Sequence, residues 1–316
     1  MIDQALTNIK VKSLPRTARG KVRDLYEIDS DTLLFVASDR ISAYDVVMAN
    51  GIPSKGVLLT CISEFWFKLL PTIIPNLRTH YVSLDFPSNL LQEERMSLRN
   101  RCMQIRRLKV FPIEAIVRGY LTGSAWSEYK IHGTVHNIPM PVGLQNSEAF
   151  PQGAIYTPST KAAEGDHDVN ITPAQAAEII GDKYARVIED LAIKLYTSAR
   201  DYAATRGIII ADTKFEFGLD EETDEIVLVD EVLTPDSSRF WDLDKYKVGQ
   251  EQTSYDKQFV RNWLTDQGLR GKPDVIIPDE VVKQTTARYV EAYHKLTGRS
   301  WESIISNNYS EGKFSI

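Results

Sequence analysis

The segment from Ile208 to Leu233 constrains this chain more than any other. It opens on the apolar run Ile208-Ile209-Ile210-Ala211 and continues Asp212-Thr213-Lys214-Phe215-Glu216-Phe217-Gly218. Side chains alternate across a strand, so Asp212, Lys214 and Glu216 share one face and Thr213, Phe215 and Phe217 the other. A polar turn over 220–225 leads to a return strand on which Ile226, Leu228, Asp230 and Val232 share a face. The pattern predicts a β-hairpin. A carboxylate in the middle of an apolar strand is costly unless it is paired or bound to a cation. Two or three carboxylates with one lysine are the groups a Mg²⁺-nucleotide site requires, because the hard cation takes oxygen ligands and the ammonium takes phosphate. A solvated face with an ordinary Lys–Glu pair accounts for the pattern equally well when it is taken alone.

A length of 316 residues favours two domains. A boundary is placed near residue 110, with a β-rich N-terminal domain over 1–110 and a second domain over 111–316. Val22 to Ile28 alternates like a half-buried strand, Asp29-Ser30-Asp31 is a turn, and Thr32 to Ala37 is a continuous apolar run suited to a central strand. Gly20 therefore heads a hairpin. Ile62 to Leu70 reads as a helix ended by Pro71, and 75–101 as a polar stretch. Met103 to Lys109 and Ile113 to Arg118 read as strands. The Gly-, Pro-, Asn- and Ser-rich stretch 131–165 reads as a long functional loop. Thr172-Pro173-Ala174-Gln175 is a capping box opening one helix. Its apolar stripe runs through Ile180, Tyr184, Val187, Ile188, Leu191, Leu195 and Ala199, and it ends before Gly207. A last helix spans about 279–296 and is closed by Gly298.

Composition removes several classes. The chain carries 37 basic and 43 acidic residues for a net charge of −6, which opposes coating of a nucleic acid. No uninterrupted apolar run reaches the ~20 residues of a membrane span, and Met1 to Lys12 lacks a signal-peptide core. Cys61 and Cys102 are the only cysteines, which excludes a disulfide framework and fits a cytoplasmic setting. The sequons at Asn170 and Asn308 are then chance matches. Nothing in the sequence calls for an obligate protein partner.

Other clusters suit anions. Arg118-Gly119-Tyr120-Leu121-Thr122-Gly123-Ser124 combines an arginine with hydroxyls and glycines that let backbone N–H groups approach a ligand; a plain strand-to-helix loop is the alternative. Asp236-Ser237-Ser238-Arg239 repeats that chemistry after Pro235, and Ser38-Asp39-Arg40-Ile41-Ser42-Ala43-Tyr44-Asp45 gathers polar groups behind a buried strand. Gly20-Lys21-Val22-Arg23 suits a glycine loop covering phosphates, although Walker and Gly-x-Gly-x-x-Gly patterns are absent. Asp166-His167-Asp168 reads as a loop hydrogen-bond network rather than a zinc site.

Taken together these segments resemble the SAICAR synthetase family, in the longer form of fungi and some bacteria. Val110-Phe111-Pro112-Ile113-Glu114-Ala115-Ile116-Val117-Arg118, leading to Thr122-Gly123-Ser124, fits one family signature, and Ile210 to Gly218 fits another. GKVRDLYE, SDRISAYD, YTPSTKA, VDEVLTPDSSRFW and SYDKQFVRNWL match in order, over about residues 15–300. The resemblance implies an α+β fold: an N-terminal antiparallel domain like a kinase small lobe and an ATP-grasp-like second domain. It implies an ATP-dependent ligase of purine biosynthesis, with ATP and Mg²⁺ as cofactors and carboxyaminoimidazole ribonucleotide (CAIR) and L-aspartate as substrates. By the same resemblance Lys21, with Gly20, Val22 and Arg23, contacts ATP phosphates. Lys214 does so too, beside Asp212. Glu216 and Asp230 hold Mg²⁺, and together with Lys214 they form the catalytic group. The stretch through Arg106, Lys109 and Val110 offers adenine a backbone edge. Arg118, Ser124 and Arg239 hold the ribonucleotide 5′-phosphate, with Asp236 near its base or ribose. Asp39, Ser42 and Lys161 belong to loops expected around CAIR and aspartate.

Overall fold

The computed structural model describes residues 4–161 and 168–304. Asp166, His167 and the Asn308 sequon lie outside the described residues. In chain order the elements begin with β1 (Arg16–Arg19), β2 (Arg23–Glu27), β3 (Thr32–Ala37), β4 (Ser42–Ala43), β5 (Val46–Val47), α1 (Lys55–Ile73), β6 (Tyr81–Ser83) and α2 (Gln92–Leu98). There follow β7 (Cys102–Arg106), β8 (Lys109–Val110), β9 (Ile113–Arg118), α3 (Gly123–His132), β10 (Thr134–Val135), β11 (Ile138–Pro139), β12 (Ile155–Tyr156) and β13 (Ser159–Thr160). The remainder comprises α4 (Pro173–Ile180), α5 (Asp182–Ala204), β14 (Ile208–Asp220), β15 (Glu225–Val229), β16 (Ser238–Asp242), α6 (Gln258–Asp266) and α7 (Asp279–Thr297). The fold is α+β, as expected, and divides into two compact units.

The first unit holds residues up to Phe65, Tyr81–Arg107, and the chain from Tyr255 onward. Its sheet has five strands in the order β1-β2-β3-β7-β6, with every pairing antiparallel. The alternation in β2 does what it predicts: Asp24 and Tyr26 are buried and their neighbours half-buried. One core gathers Ile9, Leu14, Tyr26, Leu34, Val36, Leu90, Leu98 and Cys102. The expected 1–110/111–316 division differs from this arrangement. The chain does change unit at Arg107/Leu108, but the segment from Tyr255 groups with the first unit. The cause is a second core in which Val260 and Leu264 of α6 and Val281 of α7 cover Ile41, Met48 and Ile52. Burial of those side chains outweighs proximity in sequence.

The second unit holds Trp66–His80 and Leu108–Ser254. Its seven-stranded sheet is built on β14, which pairs antiparallel with β9, β15, β16 and the two-residue β8. The predicted hairpin is present, with Glu216 opposite Val229 and Asp220 opposite Glu225. On α5 the stripe Ala185, Ile188, Ala192, Leu195, Tyr196, Ala199 and Ala203 is buried, and Tyr196 donates its hydroxyl to the Ile210 carbonyl at 2.7 Å. The single long helix expected from residue 173 is in fact two, α4 and α5, because Gly181 between them takes φ 86° and ψ 144°. The capping box at Thr172 forms as read. The 131–165 stretch, where described, carries four short strands instead of one open loop. Helix α1 starts earlier than predicted and keeps Pro71 inside its last turn, where the missing N–H removes only a terminal bond. Among the described residues α1 alone is long and apolar enough to cross a membrane; 67% of it is buried inside the protein, as in a core helix.

Candidate active site

On β14 the side chains of Asp212, Lys214 and Glu216 project from one face, as alternation requires. β9 runs beside it, with Arg118 opposite Asp212 and Ile116 opposite Lys214. Glu114, Ile116 and Arg118 therefore share a face of β9. The result is two charged clusters along one pair of strands.

The first cluster centres on Lys214. Its ammonium donates to Glu114 Oε1 at 2.7 Å and to Glu216 Oε1 at 2.9 Å. Lys161 donates to the other Glu216 oxygen, and Ser159 Oγ donates to Glu114 Oε2 at 3.1 Å. Burial opposes charge on Lys214, but the carboxylates of Glu216, Glu114 and Asp230 outweigh it and hold the lysine protonated well above its usual range. Burial likewise opposes charge on Glu216, yet Lys214 and Lys161 keep it ionised far below the usual carboxylate range. Asp230 sits in the left-handed region at φ 61°, a strained conformation of the kind that collects at functional positions. Three carboxylates face two ammoniums, so the cluster carries an excess of hard oxygen donors. That chemistry fits Mg²⁺, which binds through one or two carboxylates and completes its octahedron with phosphate oxygens and water. Among the described residues no three acidic, imidazole or thiol groups converge on one empty point; the carboxylates converge on Lys214.

The second cluster centres on Asp212. Its Oδ2 accepts from Arg118 Nη1 at 3.0 Å and from Arg239 Nη1 at 2.5 Å. Arg118 is buried, and its Nε donates to Thr157 Oγ1 at 3.1 Å. Desolvation lowers its pKa and Asp212 opposes that effect. Arg239 lies against the first turn of α3: a Cβ on Gly123, which takes φ +59°, would stand 2.4 Å from Arg239 Nη2. Ser124 is exposed on that turn, whose backbone N–H groups and dipole favour an anion. Two guanidiniums, from β9 and β16, against one carboxylate of β14 leave this end of the strand cationic, beside the carboxylate-rich cluster. Asp236 is half-buried in the turn before β16, its backbone N–H bonded to Thr234 Oγ1 at 3.2 Å.

The remaining predicted residues lie in the first unit or at its exit. Gly20 turns the chain between β1 and β2, its N–H donating to Arg23 O at 2.7 Å. Below that turn Ser38 Oγ donates to Val22 O at 2.6 Å. Arg40 donates to Lys21 O at 3.0 Å, Gly20 O at 3.2 Å and Asp24 Oδ1 at 2.6 Å. Lys21 pairs with Asp45 at 2.6 Å, both half-exposed, and Arg23 lies over the Phe35 ring. Asp39, expected around the substrates, is wholly buried. It accepts from Leu6 N and Gly56 N at 2.8 Å and from Arg101 Nη1 at 2.9 Å. With both oxygens committed, it braces the loop. Ser42 lies in β4 opposite Val47. Arg106 ends β7 opposite Thr32. Lys109 bonds Glu221 at 3.0 Å, and the exposed Val110 pairs with Gly218.

Sequence reasoning did not single out Glu114 or His136. The signal for Glu114 was present, because a carboxylate inside the apolar strand Ile113–Arg118 is as costly as one inside β14. His136 carried no such signal: its neighbours became apparent only through the fold.

The SAICAR synthetase family model matches residues 16–294. Phosphoribosylaminoimidazole-succinocarboxamide synthase of Saccharomyces cerevisiae is 55% identical over 297 residues, covering 91% of this chain and 96% of that protein. The solved SAICAR synthase of the same yeast, complexed with SAICAR, superposes with a TM-score of 0.84 at 52% identity, covering 94% of this chain and 99% of the other. A SAICAR synthetase solved in complex with ADP superposes with a TM-score of 0.67 at 26% identity, over 90% and 98% of the two chains. Matches of this length carry both strands of the charged pair, β9 and β14, and β16, which holds Arg239. The chain belongs to the SAICAR synthetase family.

Proposed function

We propose that this chain ligates the amino group of L-aspartate to the carboxylate of CAIR, giving SAICAR, while ATP is split to ADP and phosphate. Family membership supports the overall reaction. The observation that carries the residue assignment is the pair of clusters on one face of β14, one rich in guanidinium and one in carboxylate with a central lysine. Arg118, Arg239 and Ser124 at the start of α3 hold the ribonucleotide phosphate, with Asp236 beside the ribose or base. Asp212 contacts no ligand in this reading; it anchors the two arginines. Lys214 takes phosphate oxygens of ATP, and Lys161 neighbours the reacting carboxylate. Glu216 and Asp230 hold Mg²⁺, which supplies charge neutralisation at the phosphates when bound. The backbone of Lys109 and Val110, on β8, meets the adenine. The two buried thiols, Cys61 and Cys102, are free and suit a cytoplasmic setting.

A carboxylate does not acylate an amine at neutral pH, because oxide is too poor a leaving group. Transfer of the γ-phosphoryl group to a CAIR carboxylate oxygen makes an acyl phosphate. The aspartate amine then attacks its carbonyl carbon, the C–O bond to phosphate breaks, and the amine proton is released. Phosphoryl transfer demands positioning and charge neutralisation more than a protein nucleophile, and the cations Lys214 and Lys161 meet the charge that develops. Single-turnover reaction with ¹⁸O in the CAIR carboxylate tests the order: label is expected in the released phosphate, and its absence contradicts an acyl phosphate.

A further inference from the structure

His136 lies outside every motif above and is 1% exposed. It occupies the tight turn between β10 and β11 with φ 49°, next to Asn137 at φ 62°. Positive φ at both residues is what a two-residue hairpin turn calls for, and histidine and asparagine accept that region more readily than most residues. Glu128 of α3 clamps the turn. Its carboxylate accepts from His136 N at 2.9 Å, Asn137 N at 2.9 Å and Thr134 Oγ1 at 2.7 Å. The turn drives the imidazole between two fixed partners. Nδ1 lies 3.1 Å from the Pro158 carbonyl, which can only accept, so Nδ1 carries the proton. Nε2 is then an acceptor, and it faces Arg118 Nη2 at 3.4 Å.

We propose that His136 is a positioning residue: a neutral, Nδ1-protonated imidazole that accepts from Arg118 and fixes its guanidinium plane toward the anion pocket it shares with Arg239. The groups facing the ring are Arg118 on β9, Glu128 on α3 and the backbone of Pro158 and Ile171. Burial and the Arg118 charge both disfavour imidazolium, and the Pro158 carbonyl, Glu128 and the Ile171 backbone only partly offset them, leaving the pKa at about 4. The ring therefore stays an acceptor throughout the neutral range. With Asp212 on Nη1 and Thr157 on Nε, the guanidinium is held at three edges, a geometry that a single carboxylate would leave free to rotate.

The inference rests on the assignment of Arg118 to the ribonucleotide phosphate, and the test separates the two. In the full-length protein, His136→Phe keeps the ring volume and removes the acceptor, whereas His136→Gln restores an acceptor oxygen. His136→Phe is expected to raise KM for CAIR about tenfold, the loss of one hydrogen bond to a charged group. KM for ATP and kcat should stay within about twofold, and His136→Gln should recover most of the loss. Unchanged KM for CAIR, or an equal rise in all three KM values, overturns the proposal. Independently of any turnover, ¹⁵N NMR of histidine-labelled wild-type protein is expected to show a protonated Nδ1 and a bare Nε2 at neutral pH. The opposite tautomer overturns it. If wild-type protein fails to turn over CAIR while the tautomer is as described and His136→Phe weakens inorganic phosphate binding, the proposed reaction fails and the positioning role stands.

Discussion

Lys214 and Glu216 show how a charged pair is tuned by its surroundings. Burial works against charge on both, Glu216 being buried and Lys214 half-buried, and each is held charged by the other, with Glu114 and Lys161 completing the ring. Glu216→Gln keeps shape and a hydrogen-bonding oxygen but removes the charge; kcat is expected to fall by about 100-fold with KM for CAIR nearly unchanged, as read in steady-state kinetics. His136 gives the opposite signature. Its pKa falls from the ordinary 6.5 to about 4 in the folded state, so the unfolded chain binds more protons between those values. Its neutral form thus contributes stability that is complete above pH 6.5 and is lost as pH falls towards 4. Urea unfolding across that window is expected to show a decline of about 3 kcal/mol that disappears in His136→Phe. An unaltered slope in the variant places the decline elsewhere.

At the scale of elements, the site depends on close approach. The first turn of α3 can lie on Arg239 only because residue 123 has no side chain and accepts φ +59°. Gly123→Ala is expected to push the guanidinium off Asp212 and raise KM for CAIR by about tenfold or more, with little effect on KM for ATP; a crystal structure of the variant locates Arg239 directly. Much at this scale was legible in the chain. β14, its hairpin partner, β2, β3, the Thr172 cap and α7 all follow from alternation, apolar periodicity and capping chemistry. Edge strand β1 was not, because all four of its residues are exposed and nothing on it alternates. The α4/α5 break was hidden because a glycine inside a periodic stripe reads as helix until its φ is known. Of the site, Lys214, Glu216, Arg118 and Arg239 came from residue chemistry and family motifs. His136 did not, since its placement depends on a hairpin turn and on Arg118, 18 residues away in sequence. The bracing contacts of Asp39 were hidden for the same kind of reason: its partners Leu6 and Arg101 are remote in sequence.

For the whole molecule, an acidic balance of 43 to 37 opposes long polyanions and says little about small ones. The two clusters on β14 concentrate cations locally, Arg118 and Arg239 at one end and Lys214 and Lys161 at the other, and in the proposed reaction these meet the anions. Three anionic substrates are thus compatible with a negatively charged protein. The same groups would also suit a small-molecule kinase, which uses ATP and Mg²⁺ but releases a phosphorylated product. The two reactions differ in their demand for aspartate. The direct test is a coupled assay of ADP formation by the purified chain with ATP, Mg²⁺ and CAIR, with and without L-aspartate. Sustained ADP release is expected only when both CAIR and aspartate are present, with one SAICAR formed per ADP. Sustained turnover without aspartate, accompanied by a stable phosphorylated CAIR, overturns the proposed ligation, as does no turnover with all substrates present.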